Sequence, residues 1–339
     1  MEGIGLLRDD FEDYARGIGI VLVVYGHVLR GLMSAGIVHA DQWIAQTDYA
    51  IYTFHMPLFF VLSGLHVERS LKRGRLGFLT RKVETVVYPY LLWSILQGLV
   101  QWAASGDTNH PFTLAQLMSI LWDPFGQFWF LYALFLCQVF VCVTGTQRVV
   151  LVPFAIVAYV VGSVLDYGIF TTALKFFLFF AAGILLAGQF RDIVARVSAL
   201  GWIALVAVML WLAIGFARDL GDYNGIGALP ATTLGVLLVC QLALRMSGSV
   251  RFAALKLLGV ASMPIYLGHI LGASGARVVL MHLHVENLYV HLAAGMAMGL
   301  AFPLALYFVA ARVRFEKRLG FPAVGPDLWG MHRSAGALN

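Results

Sequence analysis

Residues 13–34 read DYARGIGIVLVVYGHVLRGLMS. The run is long enough and apolar enough to span a bilayer, which takes about 20 mostly apolar residues. It nevertheless carries Arg16, His27 and Arg30. Arg16 and His27 are 11 residues apart, roughly three helical turns plus about 20°, so they share one face about 16 Å apart along the axis. Arg30 falls within about 40° of Arg16 on that face. One stripe therefore runs from a cation at the helix start to an imidazole near the midplane, and Gly17, Gly19 and Gly26 beside it leave room for other groups to approach. The bland reading is that Arg16 reaches lipid phosphates and His27 bonds a neighbouring helix. Ionisable groups inside a span cost about 2.5–3.5 kcal/mol on insertion scales, so each is a candidate functional residue.

The rest of the 339-residue chain extends that reading. It is 60% apolar and 12% charged, against about 25% charged for a soluble domain, so too few charges exist to cover a water-facing surface. A window of about 20 residues gives ten spans, near 15–35, 48–68, 83–104, 127–146, 149–166, 169–189, 198–217, 225–244, 255–276 and 288–311. Pro57, Pro89, Pro153, Pro230, Pro264 and Pro303 fall inside these runs, as membrane helices tolerate. The fold class is all-α integral membrane, as a single polytopic domain over 1–339 with its core at about 10–312. The tail 313–339 reads as a loose cytoplasmic end.

Loop charges orient the chain. With the N-terminus in the cytoplasm, the cytoplasmic set holds Arg8, the cluster Arg69 to Lys82, Arg148, Arg191, Arg196, Arg245, Arg251, Lys256, the group Arg312 to Arg318, and Arg333. Of the 23 Lys and Arg, only Arg218 and Arg277 fall outside, while Arg16, Arg30 and Lys175 lie within spans. This is the positive-inside pattern, with both termini cytoplasmic. It also accounts for the net charge of +5 without invoking nucleic acid. The acidic residues before the first span (Asp9, Asp10, Glu12, Asp13) do not resemble a cleaved leader, so the first helix is expected to stay in the fold. Cys137, Cys142 and Cys240 lie in apolar segments and read as small buried hydrophobes.

Other spans carry polar groups at comparable depth. His55 stands in the second, and Tyr266 and His269 share a face of the ninth. No pair has metal-ligand spacing, so no metal is expected. His282 and His284 read as surface residues of an external loop, and Lys175 as close enough to the outer face to reach water.

Residues 13–27, an Arg followed by ten residues and a His, resemble the first-helix signature of membrane acyltransferase family 3. Phe54-His55-Met56-Pro57-Leu58-Phe59-Phe60-Val61-Leu62-Ser63-Gly64 is similar to its second-helix motif, in the variant of the fucose and exopolysaccharide O-acetyltransferase branch. Arg81-Lys82 before Tyr88-Pro89-Tyr90 is similar to the basic motif entering the third helix, although Thr85 stands where the family often has a second Arg. Phe128-Trp129-Phe130-Leu131 and Ile265-Tyr266-Leu267-Gly268-His269 match later motifs, so the resemblance runs over about residues 10–270.

The resemblance implies an acyl-CoA co-substrate, usually acetyl-CoA, and a sugar hydroxyl as acceptor, with no bound cofactor. His27 and Arg16 would be catalytic. Arg16, Arg81 and Lys82 would meet the phosphates of the donor, and His55, Trp129, Tyr266 and His269 would line the acceptor path. His27 fits either a general base or a transient acyl carrier. Implied partners are the lipid bilayer, a glycan acceptor and the polysaccharide-synthesis machinery, in a bacterial inner membrane. A transporter or flippase for a glycan or lipid-linked sugar is the rival reading. It needs polar residues in the membrane but no basic donor site.

Overall fold

The computed structural model describes residues 10–38, 42–104, 113–197, 199–219 and 221–323. The expectations concerning Arg8, Asp9, Arg333 and the tail from 324 lie outside the described residues. Among those described there is no strand. Ten principal helices follow one another: α1 (Asp10–Ser34), α2 (Gln42–Gly64), α3 (Arg75–Ala103), α4 (Trp129–Thr144), α5 (Arg148–Val164), α6 (Ile169–Leu186), α7 (Ala199–Asp219), α8 (Leu229–Met246), α9 (Ser262–His282) and α10 (Leu288–Arg312). Eight described helical stretches are long and apolar enough to cross a membrane, and the shorter apolar helices Arg148–Val164 and Gly201–Gly215 take the fifth and seventh places. The protein is a multi-pass membrane protein.

α1 is the hub, packing against α2, α8, α9, α10 and the short helix Ala253–Val260. Glycines permit the closest of these approaches. A Cβ on Gly17 would land on the carbonyl of Leu255, and one on Gly259 on the carbonyl of Asp13. Small residues at such crossings let backbones touch, which drives helix association in lipid. Large apolar side chains face outward as well as inward, and polar groups share the interior. Val149 of α5 and Trp211 of α7 are 81% and 73% exposed, whereas Thr53, His55, Gln97, Gln127, Thr232 and His269 are buried.

Prolines explain where helices depart from the expected bounds. Pro89 has no N–H for the carbonyl of Thr85, and the turn Val83–Val87 just before it widens to a π-helix within α3. Pro264 likewise cannot bond Val260, and the expected span 255–276 breaks at Ala261 into Ala253–Val260 and α9. α9 then extends to His282, which is its last residue and not part of a loop; His284 follows in a turn at φ +54°. Pro57 is inside α2, and the carbonyl it frees, that of Thr53, accepts a 3.0 Å hydrogen bond from Thr232 Oγ1 of α8.

Two segments outside the expected spans carry structure. Leu114–Met118 is a short helix with a capping box formed by Thr113 and Gln116. Residues 313–323 fold back over α3 as a strap. Trp93 Nε1 donates to Leu319 O at 2.8 Å, Tyr88 Oη to Arg318 O at 2.6 Å, and buried Phe321 stacks on Trp93 at 5.6 Å.

Candidate active site

Two cavities face opposite ends of the bundle along α1. The first, about 510 Å³, is lined by His27, Arg30, Tyr52, Trp129, Lys175 and the loop Asp222–Asn224, together with Met56. The second, about 320 Å³, has Arg16 at its rim and Phe59, Phe130, Leu134, Met263 and Tyr266 in its wall, again with Met56. The stripe on α1 therefore serves both: His27 belongs to one cavity and Arg16 to the other.

His27 is held by its own helix. Its Nδ1 lies 2.9 Å from the carbonyl of Val23, one turn earlier. A carbonyl only accepts, so Nδ1 carries the proton and Nε2 keeps the lone pair. His55 is fixed the same way by Ile51 O at 2.7 Å, and His269 by Tyr266 O at 2.8 Å. The His269 ring meets that of His27 edge-on, 4.9 Å between centroids, and its buried Nε2 has no hydrogen-bond partner. His55 stands behind Tyr52, 4.6 Å from that ring. Gly26 lets Tyr52 lean over α1, since a Cβ there would sit 2.8 Å from the Tyr52 ring.

Each cation of the His27 cavity has a carboxylate. Arg30 forks onto Asp48, with both bonds 2.8 Å, and its guanidinium carbon lies 3.2 Å from the Tyr52 ring centroid. Such bidentate pairing fixes orientation as well as charge. Lys175, expected merely to reach water, ion-pairs with Asp222 at 2.7 Å in the cavity wall. Asp222 also accepts from Asn224 N at 2.9 Å, and Tyr159 Oη donates to Gly225 O at 2.8 Å, so the loop is pinned. Aromatic faces complete the wall: Trp129 lies 5.0 Å from Phe176, and Tyr223 5.6 Å from Tyr52.

The Arg16 cavity is mostly apolar. Arg16 bonds Glu12 at 3.0 Å, and the same Glu12 oxygen lies 2.6 Å from His66 Nε2. Tyr266 Oη donates to the carbonyl of Gln127, whose side chain exchanges hydrogen bonds with Gln97 of α3. Thr85 and Val86 of the π-turn, and Pro322 and Ala323 of the strap, form part of the rim. Arg81 is exposed, and Lys82 is half-buried with Nζ 5.3 Å from the Phe78 ring. Both stand one turn before Thr85 but do not line this cavity. Among the described residues, no three His, Cys, Asp or Glu side chains converge as a metal site would.

The structure thus brings His27 and Trp129 to one cavity, Arg16 and Tyr266 to the other, and sets His269 and His55 behind the first. Sequence reasoning passed over Tyr52, Asp48, Asp222, Tyr223 and the shared Met56. Asp48, Tyr52 and His55 follow one another at helical spacing in α2, a signal that was available. Asp222 and Tyr223 lie in a loop between α7 and α8, and only tertiary packing carries them to α1.

A family model described as an acyltransferase domain matches residues 10–308. The nodulation protein NolL of Mesorhizobium japonicum is 29% identical over 143 residues, and that of Sinorhizobium fredii 33% over 132 residues. These alignments cover 41% and 37% of this chain but only 36% and 34% of the two relatives, so the chain spans about a third of each. No solved structure matches. With a family match running from the first described helix almost to the end of the tenth, the chain belongs to the membrane acyltransferase 3 family.

Proposed function

We propose that this protein is a membrane O-acyltransferase that moves an acyl group, acetyl in the first instance, from cytoplasmic acyl-CoA to a hydroxyl of a surface or exported glycan. The observation that carries the reading is the pair of cavities facing opposite ends of α1 and sharing Met56. A donor and an acceptor from opposite sides of a bilayer need two such openings and one meeting place. In this reading both termini, and hence the Arg16 cavity, face the cytoplasm, a side that the Lys and Arg distribution supports. There Arg16 would meet the phosphates of the donor, with Arg81 and Lys82 adding positive charge to the approach. The apolar wall suits the thioester arm.

The acceptor sugar would sit in the His27 cavity, against Trp129, Tyr223 and the Asp222–Asn224 loop. His27 Nε2, with its lone pair free, takes the hydroxyl proton as that oxygen attacks the thioester carbon. The carbon–sulfur bond breaks, and the thiolate recovers the proton as CoA thiol leaves. His269 and Tyr52 hold the imidazole in place. An acyl-His27 intermediate would use the same nitrogen. The membrane would be a bacterial inner membrane, beside the machinery that builds the glycan.

The test is transfer of label from radiolabelled acetyl-CoA to extracted surface glycan, with membranes holding equal amounts of wild type or His27→Ala. Label should reach glycan with wild type and fall by about 10²–10⁴ in the variant, the usual contribution of a positioned acid–base group. Equal labelling would remove His27 from the chemistry. No labelling by wild type, with glycan export lost when the protein is absent, would favour the transporter.

A further inference from the structure

Met56 is the residue both cavities share. The layer around it divides neighbours one from the next. Trp129 faces the His27 cavity and Phe130 the Arg16 cavity; along α2, Tyr52 lies on one side and Phe59 on the other. Met56 itself is buried between them, only 5% exposed. Each cavity is far larger than the roughly 10–15 Å³ a water molecule needs, which makes this layer the barrier between two wet spaces.

Two features suit Met56 to move. Its side chain is unbranched, with three rotatable bonds. It also precedes Pro57, where α2 lacks an intrahelical hydrogen bond and Thr232 of α8 takes the freed Thr53 carbonyl. The backbone there is anchored from outside while the side chain stays unconstrained by hydrogen bonding.

We infer that Met56 is the gate between donor and acceptor. Closed, it keeps water of the His27 cavity from the thioester; turned aside, it lets the acyl carbon reach the hydroxyl activated by His27. The inference rests on the acyl-CoA reading of the Arg16 cavity. Without the gate, water replaces the sugar hydroxyl: its oxygen bonds the acyl carbon, the carbon–sulfur bond breaks, and free acid and CoA thiol result. Met56 is in these terms a positioning residue, and its signature is the ratio of thioester hydrolysis to transfer.

The experiment measures CoA thiol release and acyl label on glycan in parallel, using membranes with the full-length protein and acetyl-CoA, with and without glycan. Wild type should release thiol only as label is transferred. Met56→Ala should raise acceptor-independent thiol release about tenfold relative to transfer. Met56→Ile, of similar volume but stiff at χ1, should slow transfer severalfold with thiol and label still matched. It carries the test if the alanine variant does not accumulate. Parallel loss of both activities in Met56→Ala, or unchanged transfer in Met56→Ile, would overturn the gate. Absence of thiol release by wild type with glycan present would instead overturn the acyl-CoA reading beneath it.

Discussion

The two cavities both pair their cations with carboxylates but differ in the wall around the pair. In the His27 cavity, Arg30 and Lys175 are each matched by a carboxylate, Asp48 and Asp222, and the rest of the wall is aromatic or neutral and polar. In the Arg16 cavity one guanidinium stands at the rim of an apolar wall, its Glu12 shared with His66. Buried cations are costly in both places. Where they are neutralised within the wall, what remains is a surface of hydrogen-bonding groups and ring faces that suits neutral hydroxyls. Where a guanidinium whose carboxylate is shared with an imidazole backs onto an apolar wall, the surface suits an anionic head with an apolar arm.

The largest effect that would test this contrast is a crossed pair of substitutions. Arg16→Ala should lower kcat/KM for acetyl-CoA by about 10- to 100-fold, the size expected from losing one or two charge-assisted hydrogen bonds. It should leave the acceptor KM unchanged. Trp129→Ala should do the converse, raising the acceptor KM severalfold through a lost ring contact of about 1 kcal/mol. Steady-state kinetics with each substrate varied in turn would decide. If both variants shifted both constants alike, the two cavities would be one site and the contrast would collapse.

How much of this the sequence disclosed follows from where the information lies. The Arg16 to His27 stripe is local to one helix, so periodicity alone located both residues and their separation. The ten helices were legible because hydropathy and loop charge vary along the chain in the same rhythm. The break at Ala261 was legible only in part. Pro264 was visible within an expected span, but whether a proline kinks or ends a helix depends on what receives the freed carbonyl. For Pro57 that receiver is Thr232, 179 residues distant by the hydrogen bond between α8 and α2. The partner of Lys175 was hidden for the same reason: Asp222 is 47 residues away. The strap 313–323, basic at its start, gave no hydrophobic period, and its anchors are tertiary: Phe321 between Trp93 and Tyr307, and the bonds of Trp93 and Tyr88 to its carbonyls.

A smaller change would sharpen the contrast from within the His27 cavity. Asp222→Asn keeps the shape of the loop but leaves Lys175 without its countercharge. Asp222 is 48% exposed, so screening limits the electrostatic consequence to about 1 kcal/mol or less. The KM for a neutral glycan should rise by up to about fivefold. A carboxylated glycan should become the relatively better acceptor, as read from competition between the two in one assay. Were the preference unmoved, neutrality of the wall would have no part in selecting the acceptor.

The smallest effect on rate is expected from Thr232, and it addresses the layer that keeps the cavities apart. Thr232 Oγ1 shares its proton between Thr53 O of α2 at 3.0 Å and Ala228 O of its own helix at 3.1 Å. Thr232→Val preserves shape and removes the donor, leaving the carbonyl freed by Pro57 buried without this partner. An unsatisfied buried group costs about 1–3 kcal/mol, so the variant should melt several degrees lower in detergent. Thr233, one residue on, is exposed, and its Oγ1 bonds only Leu229 O within α8 at 2.9 Å. Thr233→Val therefore serves as the control and should leave the melting temperature within about a degree, as surface changes usually do. If the two valines behaved alike, the α8 hydroxyl would not be what steadies α2 at its proline, and the barrier around Met56 would have to owe its rigidity to the aromatic packing of Trp129 and Phe130 instead.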